Sequence, residues 1–157
     1  MSGVRERGSV LLLFPAAVLI VLVLAAITVD SSIAFLAQRE LANATAAAAN
    51  DAAGEGVDGD AFYGRDRVEL DPAAVEAVAV ERVRLAVDES RHRGLDVQAV
   101  ASPPRRAGCP WTVQVSASSR VSYVFAKAVP GGPDEVAVRA TSVAGPEEGA
   151  TAGKCGV

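Results

Sequence analysis

Residues Val10–Val29, VLLLFPAAVLIVLVLAAITV, carry no charged side chain, and no other feature constrains this chain as much. About 20 apolar residues at roughly 1.5 Å of rise each match the ~30 Å hydrocarbon core of a bilayer. The flanks are unequal. Arg5 and Arg7 precede the run, with Glu6 between them, and Asp30 follows it directly. Basic residues stay on the cytoplasmic side. The expected topology is therefore a single pass of the cell membrane, N-terminus cytoplasmic and the remaining chain extracytoplasmic. Two other kinds of segment compete. A soluble core helix is seldom this long without a charge. A cleaved secretory signal has an apolar region of about 7–15 residues closed by a small-x-small site. This run is longer, and its end, Ala25-Ala26-Ile27-Thr28-Val29-Asp30, fits such a site poorly.

Beyond the run, the 157-residue chain has room for one small domain. Aromatic residues are scarce: Phe14, Phe35, Phe62, Tyr63, Trp111, Tyr123 and Phe125. A core must come from valine, leucine and alanine. The net charge of −4 argues against a nucleic-acid surface, which needs clustered lysine and arginine. Lysine occurs only at Lys127 and Lys154. The two cysteines, Cys109 and Cys155, form no CxxC pair, and His92 is the only histidine. That set is too small for a Cys/His metal site, so no metal and no cofactor is expected. Outside the cytoplasm an even pair reads most simply as a disulfide, Cys109–Cys155.

Taken in order, Met1–Gly8 is a polar leader and Ser9 opens the apolar run. Pro15 lies in its first two turns, where the missing N–H and the ring bend a helix locally. The helical pattern then continues through Ile33–Leu36, Gln38-Arg39-Glu40-Leu41 and the alanine-rich Ala42–Ala53, with Gly54 as its stop. One helix of roughly 65 Å from about Val10 to Ala53 is expected. Ala34, Ala37, Ala44, Ala48 and Ala52 leave a face without bulk, suited to close packing on a second copy or a partner. Glu55–Asp60 reads as an acidic linker, since it lacks the spacing of an EF-hand loop. Phe62 and Tyr63 are placed to dock on the domain downstream of them. Val68 and Leu70 read as a short extended piece.

Asp71-Pro72 starts a helix, aspartate as N-cap and proline at the first helical position. That helix is expected to run to about Arg91, with Ala73, Ala77, Val80, Val83 and Val87 inward. Leu95–Ala101 alternates, and Pro103-Pro104 stops it. Trp111, Val113, Val115, Ala117, Ser119, Val121, Tyr123 and Phe125 keep one parity over a long strand. Ala126–Pro133 is a turn, and Val136, Val138 and Ala140 mark a last strand. The expected fold class is α+β: a long helix, then a helix on a three-stranded antiparallel sheet. Its core should include Val80, Val83, Val113, Val115, Val121 and Tyr123. The expected division is leader 1–8, transmembrane helix 9–29, Ala-rich helical extension 30–54, linker 55–70, α+β domain 71–144 and flexible tail 145–157.

No catalytic arrangement emerges, and the chain is not expected to be an enzyme. Asp88, Ser90 and His92 lie close in sequence, but helical positions two apart point to different sides. No Gly-x-Ser-x-Gly elbow accompanies them, and they read as a charged, solvated helix end. Asp58 and Asp60 lack a catalytic setting. Gly131-Gly132 sits between prolines as a turn, not a phosphate loop. No small-molecule substrate is expected.

The segment Arg5–Ala53 resembles the N-terminal module of TadE/TadG-like proteins of the Flp (tight-adherence) pilus system. The pieces that carry the resemblance are the leader ending Arg7-Gly8, the apolar run from Ser9, Val29-Asp30 at its outer end, and Arg39-Glu40-Leu41-Ala42-Asn43 entering the alanine run. They cover about the first third of the chain. The resemblance implies a structural, pseudopilin-like role in assembling a pilus or secretion apparatus, with other subunits of that apparatus as partners. It also implies a processing site for a prepilin peptidase at Gly8–Ser9. Pilins usually carry glutamate at the fifth mature position; Leu13 stands there in this chain. The alternative is a membrane-anchored or secreted extracytoplasmic binding module unrelated to pili.

Overall fold

The computed structural model describes residues 7–65, 67–104 and 109–145, with side chains from residue 13 onward. Helix α1, Arg7–Glu55, is continuous through Pro15. At 49 residues it is about 74 Å long. A short helix α2, Gly59–Arg65, follows, and then α3, Pro72–Ala86. Three antiparallel strands complete the fold: β1, Arg93–Ser102; β2, Thr112–Ser122; and β3, Glu135–Ala144. The sheet order is β1-β2-β3, and a 3-10 turn at Ala126–Ala128 joins β2 to β3. The α+β class is as the sequence pattern predicts.

Strand parity explains the layers. Val113, Val115, Ala117, Ser119 and Val121 are buried on one face of β2, while Gln114 and Arg120 face out. Val97, Ala99 and Ala101 of β1 and Val136, Val138 and Ala140 of β3 join that inner face. The helices cover it, and the outer face is polar, the usual division for an antiparallel sheet.

The main departure from expectation lies in α1. Its outer half is the centre of the domain core. Ala37, Leu41, Ala44, Ala48, Ala49, Ala52 and Ala53 are buried against β2, β3 and α3. The 37, 41, 44, 48, 52 spacing is a helical stripe, and its methyl-sized side chains let the helix backbone approach the valine face closely. The expected boundaries therefore divide a single core: residues 30–54 are not an extension standing apart from 71–144. The alanine face is occupied within the chain, not offered to a second copy. Only Ala34, among the alanines named, escapes deep burial.

Three smaller differences concern the middle of the chain. Residues 55–70 are more than a linker: Asp58 Oδ1 accepts from the N–H groups of Asp60 and Ala61, and Val57 bridges Leu70. Phe62 and Tyr63 pack edge-to-face on each other, and Tyr63 stays exposed instead of docking. Helix α3 ends at Ala86, earlier than Arg91, and buries Val75, Ala79 and Val83. Ala73 and Ala77 lie outside, and Val80 is half-buried. The Asp71-Pro72 start holds: Asp71 Oδ1 accepts the Ala73 N–H at 2.9 Å. Of the expected core, Val83, Val113, Val115 and Val121 are buried. Tyr123 is half-buried beyond the end of β2.

Candidate functional site

Along α1 the first buried residue among those described is Asp30, and the continuous buried stripe begins about two turns later, at Ala37. From Leu13 to Val29 the large apolar side chains, Phe14, Leu19, Leu22 and Ile27 among them, are bare. This stretch makes α1 the one helix, among the described residues, long and apolar enough to cross a membrane. Asp30 itself is buried, 6% exposed.

Its carboxylate gathers three consecutive backbone donors from the turn after β2. The Val124 N–H donates to Oδ1 at 2.8 Å and the Ala126 N–H to Oδ2 at 2.7 Å. The Phe125 N–H is shared, at 3.1 and 3.2 Å. Burial alone would push this carboxyl up; the three N–H donors and Lys127 outweigh it, and its pKa lies below the ordinary carboxylate value. One side chain thereby joins the end of the apolar stretch to the near end of the sheet.

Two more side chains repeat this pattern farther along α1. The Gln38 amide bonds the edge of β3 on both sides, donating to the Arg139 carbonyl and accepting the Arg139 N–H at 3.3 Å. It stands where a fourth strand would pair. Glu40 faces the turn after α3: Oε1 accepts the Asp88 N–H at 3.1 Å, and Oε2 lies 3.2 Å from Arg91 Nη1. The sequence pattern offered little to find these three residues. Asp30 reads as a marker of the membrane edge, and Gln38 and Glu40 as ordinary helix surface.

His92 is buried, in contrast to the solvated helix end expected of it. Its Nδ1 lies 2.8 Å from Ser119 Oγ, and its Nε2 lies 3.7 Å from Glu40 Oε2 with no hydrogen-bond partner. Asp88 and Ser90 remain exposed and bond to each other; the Ser90 hydroxyl and N–H hold the Asp88 carboxyl below its ordinary pKa. A serine–histidine–glutamate row thus exists, but not the one the spacing suggested. Ser119 is 4% exposed on the inner face of β2. The His92–Ser119 bond joins the residue before β1 to β2 from inside, with the Glu40 carboxylate of α1 nearby.

Of the sequence-predicted site residues, Gly8 and Ser9 lie in the first turn of α1, and Leu13 is exposed on it. Cys109 has a bonding partner and is no free thiol. Cys155 lies outside the described residues, as does the rest of the tail beyond Gly145. Among the described residues no group of three or more His, Cys, Asp or Glu side chains could hold a metal ion. Helix α3 carries an open, shallow trough on its outer side, where Ala73, Ala77, Val80 and Leu85 are framed by Glu76 and Arg84. No family model, curated protein or solved structure matches the chain.

Proposed function

We propose that this chain is a single-pass envelope protein, N-terminus cytoplasmic, whose extracytoplasmic domain is a structural subunit of a Flp/Tad-type pilus or secretion apparatus. The observation that carries the reading is the division of α1 between Asp30 and Ala37. One continuous helix is bare and apolar over a bilayer's thickness, and is then built into the core of a small domain. A domain held this way is fixed in height and orientation over its anchor, as a scaffolding subunit requires. The Arg5/Arg7 flank supports the orientation. The likeness of Arg5–Ala53 to TadE/TadG-like proteins supports the system, with other apparatus subunits as partners and no enzymatic role. Because the alanine stripe is buried in its own domain, assembly contacts belong to other faces.

Deletion of the gene in its native cell tests the role. Loss of surface pili or of the secreted product, restored by the wild-type copy, is the expected result; unchanged assembly contradicts it. Processing at Gly8–Ser9 by a prepilin peptidase is read separately by intact mass. A chain beginning at Ser9 supports the pseudopilin reading, and one retaining residues 2–8 makes the protein an unprocessed anchor. The second reading, an anchored or secreted binding module unrelated to pili, draws on the uncovered trough of α3. It predicts that Leu85→Asp abolishes capture of a ligand while pili still form.

A further inference from the structure

We propose that the turn between β2 and β3, residues 123–134, is a second membrane contact, lying in the interfacial region of the bilayer beside the point where α1 emerges. The inference rests on the reading that Val10–Val29 spans the membrane. Its occupant is the phospholipid bilayer itself.

Height is the first observation. Asp30, the first charged residue after the apolar stretch, holds the N–H groups of Val124, Phe125 and Ala126. The turn is therefore pinned at the level where the apolar stretch ends. Farther along α1, Gln38 meets Arg139 and Thr45 meets Ser142. The sheet climbs away from the membrane with the helix, and this turn is its lowest part.

Chemistry is the second. Surface turns are ordinarily polar, yet residues 124–133 read VFAKAVPGGP, with Lys127 the single charge. Val124, Phe125 and Val129 are 48, 45 and 60% exposed. An aromatic ring and two valines aimed outward, with one lysine able to lift its ammonium to the headgroups, are the composition of an interfacial insertion. On α1, Phe35 and Leu36 are also exposed, about 8–9 Å beyond Asp30, within reach of the same zone.

Backbone satisfaction is the third. An apolar medium penalises every unbonded N–H. Here the Asp30 carboxylate takes three of them. The Ala128 N–H goes to the Phe125 carbonyl at 2.9 Å, Val129 to Ala126 at 3.1 Å and Gly132 to Val129 at 2.8 Å. Pro130 and Pro133 have no N–H to bond. Six N–H groups between Val124 and Gly132 are thus bonded within the protein, while Val124, Phe125 and Val129 show their side chains to the outside. The same arrangement covers the Asp30 charge, which would otherwise be costly at the membrane surface.

Depth-dependent fluorescence quenching tests the inference on the full chain in phosphatidylcholine vesicles, plain or brominated high on the acyl chain. Trp111, at the far end of β2, supplies a common background. A second tryptophan is added singly as Phe125→Trp, Leu24→Trp or Tyr63→Trp. The expected result is at least twofold quenching of the added emission for Phe125→Trp and for Leu24→Trp, and none for Tyr63→Trp at the opposite end of the domain. Val129→Trp repeats the measurement should Phe125→Trp disturb the turn, with the same twofold loss expected. Quenching of Leu24→Trp alone, with both turn probes behaving like Tyr63→Trp, overturns the membrane contact and leaves the span intact. No quenching at Leu24→Trp overturns the span and this inference with it.

Discussion

A single carboxylate sets how this domain sits on its helix. Asp30 accepts from three successive N–H groups of a turn 94 to 96 residues away in sequence. Asparagine there keeps one acceptor and turns an NH2 toward donors, so it cannot replace the latch. The sign of its pH dependence follows from its depressed pKa. A carboxyl lowered in the folded state stabilises above its unfolded pKa, ~3.9, and that contribution is lost as pH falls through the folded value. Asp88, lowered by Ser90, acts in the same direction. Wild-type protein is predicted to lose thermal stability as pH drops below about 4. Asp30→Asn should be less stable at pH 7 and show a shallower fall in acid. Parallel melting-temperature profiles for the two proteins between pH 7 and pH 3 would contradict the latch.

At the scale of the element, the outer half of α1 does what a sheet-covering helix does, using alanine where larger residues are usual. Leu41 is its largest fully buried apolar side chain. Leu41→Ala should cost about 2–5 kcal/mol by transfer loss and cavity formation. The opposite substitution separates the buried stripe from an open alanine face. Ala48→Leu should cost roughly 1–3 kcal/mol by overpacking against the sheet. On a free face it would change stability by no more than about 0.5 kcal/mol. Denaturant unfolding of the detergent-solubilised chain distinguishes these outcomes.

The same helix shows what local pattern can and cannot convey. The apolar run, the Asp71-Pro72 start and the parity of β2 are local signals. The first two are found where the sequence places them, and the parity holds from Val113 to Val121, but β2 stops at Ser122 and leaves Tyr123 and Phe125 in the turn. Alanine is compatible with a buried, an exposed or a paired helix face, so its stripe carries no address. Helix α3, PAAVEAVAVERVRLA, has alanine or valine on several faces. Its periodicity allows the 73-77-80 face as readily as the buried 75-79-83 face, and only packing against α1 decides. Asp30, Gln38, Glu40 and His92 take partners far along the chain, and no spacing rule anticipates them.

Over the whole molecule, the apolar stretch and the domain share one helix, and the sheet closes back on it through Asp30, Gln38 and Thr45. The Cys109–Cys155 bridge, a proposal from compartment and parity, would add a further closure near the start of β2. Non-reducing mass spectrometry of protein from its native envelope should find the two cysteines joined; two free thiols would end the proposal. In the chain-entropy description a loop of about 45 residues contributes roughly 3–4 kcal/mol.

Helix α1 is a core element of the domain and, in the proposed reading, its membrane anchor as well. Hydrogen exchange along the full chain in lipid nanodiscs reads this double role most directly, because buried helical amides open only with the unit they belong to. Peptides covering 37–53 should exchange as slowly as those covering 113–121, with 13–29 protected by the lipid. Rapid exchange across 37–53 beside a protected 113–121 would contradict it, leaving a helix that merely leads to a domain folded without it.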